Sequence, residues 1–251
     1  MTRKTSINEI NERYIELWKE FQQENKIDEI PSLYPELKKD ALLFVGLNPS
    51  CPDTKLEGRN GRLEEIGSDK SARDFKTWIY PLPEERKKEI INERKIARGE
   101  NVDSAYSYFK PFYRISEEVE LDWEHIDVFR TIAEKQSELK DILDMYSKGE
   151  NISDFGRKQI DIFKELLEKL EPKIIIVQSA LAGDIIKNEL EISDATWSQE
   201  GFHTIKINNK DVPIFFTGML SVGYDKGSRK RLIWHVKKAK EWVKKNGSSK
   251  T

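Results

Sequence analysis

The chain has 251 residues, room for one large α/β domain or two small ones. Its 37% hydrophobic and 35% charged residues exclude a membrane protein and a disordered chain, and a net charge of −2 does not by itself point to nucleic acid. No apolar run approaches the roughly 20 residues that cross a bilayer. The first seven residues have no apolar signal core behind them, so a cytoplasmic location is expected. Cys51 is the sole cysteine, which excludes an internal disulfide and a Cys-rich metal site. His125, His203 and His235 lie far apart without i, i+4 pairing, which argues against a metal enzyme.

Ile7, Ile10, Tyr14, Leu17, Trp18 and Phe21 recur by threes and fours, which predicts an amphipathic helix over 7–23 with Ser6 as N-cap and Glu9 completing a capping box. After a loop with Pro31 and Pro35, the unbroken apolar run 41–47 reads as a buried parallel strand. It opens into the turn Gly46-Leu47-Asn48-Pro49-Ser50. Residues 52–103 are polar and punctuated by glycine, with a charged helix from about Pro83, and read as an insertion over the end of that strand. The aromatic stretch 106–113 fits either a helix start built into the core or a stacking surface.

A second strand is expected at 125–129, with His125 on the face opposite Asp127. A polar helix follows over 137–148, and the apolar stripe of Phe155, Ile160, Phe163, Leu166, Leu167 and Leu170 marks another. The β-branched run 173–178 is the best strand in the chain. Ser179 can cap a helix over 180–189. Segments 202–207 and 212–217 alternate around Asn208-Asn209 as a hairpin with a tight turn, which leaves His203 exposed at its start. The last helix begins after Gly227, with Ser228 as N-cap, and buries Leu232, Val236, Ala239 and Val243. His235 is expected to be partly buried and hydrogen-bonded. Strands and helices alternate, so the expected fold is a three-layer α/β/α sandwich with a mostly parallel central sheet, formed by a single domain over 1–251. From Asp225 to the end, ten Lys or Arg face two acids, which puts about +8 at one end of a nearly neutral chain.

The turn after the first strand has two readings. Gly46 allows close backbone approach and Pro49 stiffens the turn. Asn48 either caps it or uses its amide to hold a water. The segment Gly46-Leu47-Asn48-Pro49-Ser50 resembles the first motif of the uracil-DNA glycosylase superfamily, in the Gly-hydrophobic-Asn-Pro-Gly/Ser form of its mismatch-specific and thymine-DNA glycosylase branches. The order of an aromatic segment, the strand His125-Ile126-Asp127-Val128-Phe129-Arg130, a buried strand and a final strand feeding a loop and helix is similar too. The matching pieces span roughly residues 41–243.

That resemblance implies an α/β/α sandwich that binds DNA, flips a damaged or deaminated base out of the stack and hydrolyses its N-glycosidic bond. Asn48 would position the attacking water, with Ser221 as the second catalytic-site residue. Gly46, Leu47, Pro49, Ser50, Phe109, Phe112 and Asp127 would form the base pocket. An aromatic among Tyr108, Phe109 and Phe112 would stack on the base, and Asp127 would read its edge. Where many members carry a histidine in the second motif, this chain has Met219, whose thioether cannot donate a hydrogen bond. Met219 and Leu220 are either a wedge filling the gap left by a flipped base or core at a strand end. Ser228, Arg229, Lys230 and Arg231, at a helix start, would grip phosphates. No metal or organic cofactor is implied. The rival readings are a non-catalytic nucleic-acid-binding module on the same fold and an α/β enzyme acting on free nucleotides.

Overall fold

The computed structural model describes residues 7–25, 31–49, 81–133, 135–145, 151–193, 197–222 and 224–247. Ser6, Ser50 and the expected insertion up to residue 80 lie outside them. In chain order the elements are α1 (Ile7–Asn25), β1 (Leu42–Gly46), α2 (Glu84–Arg98), α3 (Lys110–Val119), β2 (Trp123–Asp127), α4 (Gln136–Ile142), α5 (Asp154–Leu170), β3 (Ile174–Val177), α6 (Ala180–Glu189), β4 (His203–Ile207), β5 (Lys210–Phe216) and α7 (Lys226–Gly247). The described helices include none long and apolar enough to cross a membrane.

The chain divides into two compact units. One comprises Met1–Pro35, Asn48–Lys95 and Phe129–Ile162, the other Glu36–Leu47, Ile96–Val128 and Phe163–Thr251. The first is built on α1. Trp18 meets Phe155 edge-on at 4.8 Å, and Phe21 stacks on the same ring at 3.8 Å. Asn11 and Tyr34 exchange reciprocal hydrogen bonds of 2.8 Å between the Asn11 amide and the Tyr34 backbone. Arg130 is fully buried: its guanidinium lies 3.9 Å over the Tyr34 ring and its Nε donates to the Ser32 carbonyl at 2.6 Å. Flat stacking on a ring and directed donation to a carbonyl are how a buried guanidinium is accommodated.

The second unit holds the sheet, in the order β2-β1-β3-β5-β4. All neighbours are parallel except β4, which runs antiparallel to β5. Leu42-Leu43-Phe44-Val45 and Ile174-Ile175-Ile176-Val177 are at most 1% exposed, as strands covered on both faces must be. Register places His125, Phe44, Ile176 and Phe215 in one row and Ile126, Val45, Val177 and Phe216 in the next, so the two rows face opposite sides. The first row joins a core shared with α3 and α7, in which Phe44 stacks on Phe112 at 4.2 Å and 7°. On the other side, Phe216 meets α6 at Gly183 and lies under the Lys187 ammonium. Helices on both faces of a five-stranded, mostly parallel sheet make the α/β/α sandwich expected from the sequence.

Local signals explain several boundaries. The Ser179 hydroxyl accepts from the Ala182 N–H and starts α6. Asn208 and Asn209 have φ of 49° and 64°, the left-handed pair that a tight hairpin turn needs between β4 and β5. At the β2 edge, the buried Glu124 carboxylate accepts from the N–H of His125 at 2.9 Å and of Lys38 at 2.8 Å, and pairs with Arg98. Arg98 also covers the Trp123 ring at 4.1 Å. These contacts cap an edge that is otherwise open to strand pairing.

Candidate functional site

Ligands in open α/β sheets bind at the carboxyl ends of the strands, where connections leave in opposite directions. Here β1 sends the chain to β2 on one side while β3 lies on the other. In the sheet-bearing unit, a polar cluster sits at those strand ends. Gln178, just past β3, donates from Nε2 to the Tyr108 hydroxyl at 2.6 Å. That hydroxyl is 3.2 Å from His125 Nε2, which in turn is 3.4 Å from Asp127 Oδ1. Gln178, His125 and Asp127 are buried and Tyr108 is half-buried. Gln178 Oε1 is buried with no hydrogen-bond partner among the described residues. A buried amide oxygen left unmatched costs about 1–3 kcal/mol, so it marks a place where an incoming donor is favoured.

Gly46 belongs to this cluster by shape. A Cβ there would lie 2.3 Å from Asp127 Oδ1, 2.9 Å from the Tyr108 hydroxyl and 3.1 Å from His125 Nε2. The strand end therefore admits only hydrogen at this position.

His125 and Asp127 share one face of β2, contrary to the expected opposition, because residues two apart on a strand point the same way. The aromatic stretch resolves into core. Phe112 is fully buried on Phe44, and Phe109 is 9% exposed against Trp123. Neither offers a face for a base to stack on, which corrects that expectation. Tyr108, perpendicular to Phe109 and Phe112, is the ring of the three that reaches solvent. Of the two readings of Leu220, wedge or core, its 2% exposure in the cluster with Leu232 and Phe215 gives core, whereas Met219 is 48% exposed. Ser221 lies half-buried in the same turn.

In the other unit, Asn48 Nδ2 donates to the carbonyls of Pro49 at 2.9 Å, Thr131 at 3.3 Å and Ala133 at 2.9 Å. Three acceptors around one NH2 group fix which way the amide points. No hydrogen bond from a described residue reaches its Oδ1. Pro49 is half-buried and its carbonyl also accepts from the Ala133 N–H at 3.2 Å, while Leu47, the last residue of its segment in the sheet-bearing unit, is buried.

The start of α7 differs from expectation. Asp225, not Ser228, is the cap: its Oδ1 accepts from the Ser228 N–H at 2.9 Å and its Oδ2 from the Ser228 hydroxyl. Asp can serve two donors from the turn before the helix, which a serine inside the first turn cannot. The Ser228 hydroxyl also accepts from Arg231 at 3.0 Å, so it is committed within the chain. Arg229 is half-buried and Lys230 and Arg231 are exposed. His235 is half-buried as expected, but its Nδ1 has no hydrogen-bond partner among the described residues. His203 is half-buried between the rings of Trp197 and Phe216 instead of exposed.

The Ser228 hydroxyl and N–H hold the Asp225 carboxyl below the ordinary aspartate value. A carboxyl depressed in the folded state adds stability above its unfolded pKa, and that contribution is lost as pH falls through the folded value. From about pH 4 downward, the first turn of α7 is therefore expected to fray. Hydrogen exchange at Ser228 should accelerate there, and Asp225→Asn should remove that pH dependence.

Two functional candidates had weak sequence signals. Gln178 was visible as the polar residue ending the strongest β run, but nothing in its spacing tied it to Tyr108. Tyr108 is one of five aromatics from Tyr106 to Tyr113, and what sets it apart is its hydroxyl's contact with Gln178 and His125. No protein-family model matches the chain, and neither does any curated protein.

Proposed function

We propose that this chain is a uracil-DNA glycosylase-like protein that binds DNA and hydrolyses the N-glycosidic bond of a deaminated or mismatched base. The observation that carries the reading is Asn48: an asparagine in the motif after the first strand of a parallel sheet, its NH2 held by three backbone carbonyls. An amide fixed in that sense presents Oδ1 as acceptor. Such an oxygen can orient a water toward the sugar carbon without needing to ionise.

In this reading the bond from sugar carbon to base nitrogen breaks with its electron pair leaving on the base. The water oxygen then bonds to the oxocarbenium-like carbon and its proton passes to solvent or to the departing base. Within the sheet-bearing unit taken by itself, Asp127 and Gln178 are buried polar groups of the kind that pair with a base edge, and Tyr108 orients Gln178. Arg229, Lys230 and Arg231 are assigned to phosphates.

The test uses duplex and single-stranded oligonucleotides carrying uracil, hypoxanthine or mismatched thymine, followed by alkali. Strand cleavage at one of these lesions is expected, and Asn48→Ala, checked for folding by circular dichroism, should lower it ~100-fold or more. Undiminished cleavage by that variant would overturn the mechanism. A second reading, nucleic-acid binding without cleavage, is favoured by Met219, whose exposed thioether cannot stabilise a departing base. It prevails if no lesion is cut while binding is tight and falls steeply with salt.

A further inference from the structure

We infer that the outer face of α7, with the neighbouring turn that carries Trp197, is a docking surface for single-stranded DNA. The inference goes beyond base release, since it needs no chemistry on α7 and shares only Lys230 with the residues assigned to phosphates.

Helix α7 holds nine lysines and arginines and one acid, Glu241. Its apolar stripe, Leu232, Ile233, Val236 and Ala239, is spent in the core. The exposed stripe is Lys230, Trp234, Lys237, Lys238 and Glu241, residues spaced by threes and fours that share one side of a helix. Trp234 is 56% exposed in the middle of it, an unusual place for an indole. The Lys238 ammonium lies 5.9 Å from that ring and 3.7 Å from Glu241, so the lone acid is already matched. Lys230 and Lys237 form no ion pair among the described residues.

A second indole lies close by. Trp197, also 56% exposed, bridges to His203 on β4 and sets its ring edge-on to the histidine at 4.8 Å. The turn that follows is closed by Gly201 N–H to the Ser198 carbonyl and touches α7: the Cβ position of Gly201 is 3.8 Å from the His235 ring. His235 in turn lies edge-on to Trp234 at 4.9 Å. Two exposed indoles thus sit on adjoining elements, one of them a helix whose outer side carries Lys230 and Lys237 without an ion pair among the described residues.

Charge complementarity selects a polyanion. The exposed indoles select one with free π-faces: bases of a single strand can stack on them, whereas paired bases are already stacked on each other. An anionic membrane fits less well, because a helix lying on lipid turns a continuous apolar stripe outward, and here that stripe faces the core.

The test measures binding of a fluorescein-labelled oligo(dT) to the full chain by anisotropy over a salt series. Wild type should bind with a steep salt dependence. Trp234→Ala should weaken binding about tenfold, Trp197→Ala should weaken it in the same direction, and Lys237→Glu should flatten the salt slope. All three positions are on the surface, so the variants should fold, and Gly218→Ala, whose added Cβ meets nothing within 4 Å, should bind as wild type does. The inference is overturned if these surface variants bind oligo(dT) like wild type. It is equally overturned if phosphatidylglycerol vesicles are bound while oligo(dT) is not. Loss of base release with oligo(dT) binding intact counts against the glycosylase reading alone, while base release with oligo(dT) binding indifferent to the α7 variants counts against this inference alone.

Discussion

Gly46→Ala is expected to destabilise the sheet-bearing unit by about 1–3 kcal/mol, the usual cost of overfilling a tight interior. The added methyl would arrive 2.3 Å from Asp127 Oδ1 and 2.9 Å from the Tyr108 hydroxyl. Neither neighbour has an easy retreat. Asp127 is 1% exposed on the edge strand, and the Tyr108 hydroxyl is tied to Gln178 and His125. Thermal unfolding should show a midpoint lowered by roughly 2–10 °C. Gly218→Ala is the matched control, since its Cβ would meet nothing within 4 Å, and it should melt close to wild type. If both variants melt alike, the strand-end cluster is not packed as described.

Asn48→Asp should be worse tolerated at neutral pH than its near-identical shape suggests. The NH2 group is replaced by an oxygen that must face the carbonyls of Pro49, Thr131 and Ala133, with no proton to share. Loss of these partly buried bonds, with repulsion added, is worth roughly 1.5–3 kcal/mol. The sign of the pH dependence is diagnostic. The protonated acid can still donate to a carbonyl and the carboxylate cannot, so folding raises the introduced group's pKa. Its penalty therefore grows as pH rises above about 4. Melting at pH 4 and pH 7 should show the variant closest to wild type in acid. Asn48→Ala, which introduces no charge, should show no such trend.

Much of the scaffold was legible because it rests on local or periodic signals. The runs at Leu42 and Ile174 needed no alternation since both faces are covered, and the paired asparagines at 208 and 209 announce a left-handed turn. The candidate site was less legible, because its partners come from separate segments. Tyr108, His125 and Gln178 meet only after β1, β2 and β3 align, and no spacing in the chain encodes that alignment. Phe112 shows the opposite failure: an aromatic in a promising stretch is claimed by Phe44, and burial, which a sequence does not display, decides its role. At α7 the rule that serine caps helices pointed to Ser228, while the competing rule, that aspartate serves more donors, prevailed at Asp225. At the motif, the polar turn at Asn48 was legible from Asn-Pro after an apolar run, whereas its three carbonyl partners, two of them more than 80 residues away, were not.

The Glu124 carboxylate at the β2 margin limits how this protein can assemble. A strand joining there would have to displace one side chain from two backbone N–H groups and from Arg98 at once. In polymer terms Glu124 is a chain terminator. By occupying the His125 N–H it removes one donor from that margin of the described sheet and makes the margin a poorer template for an added strand.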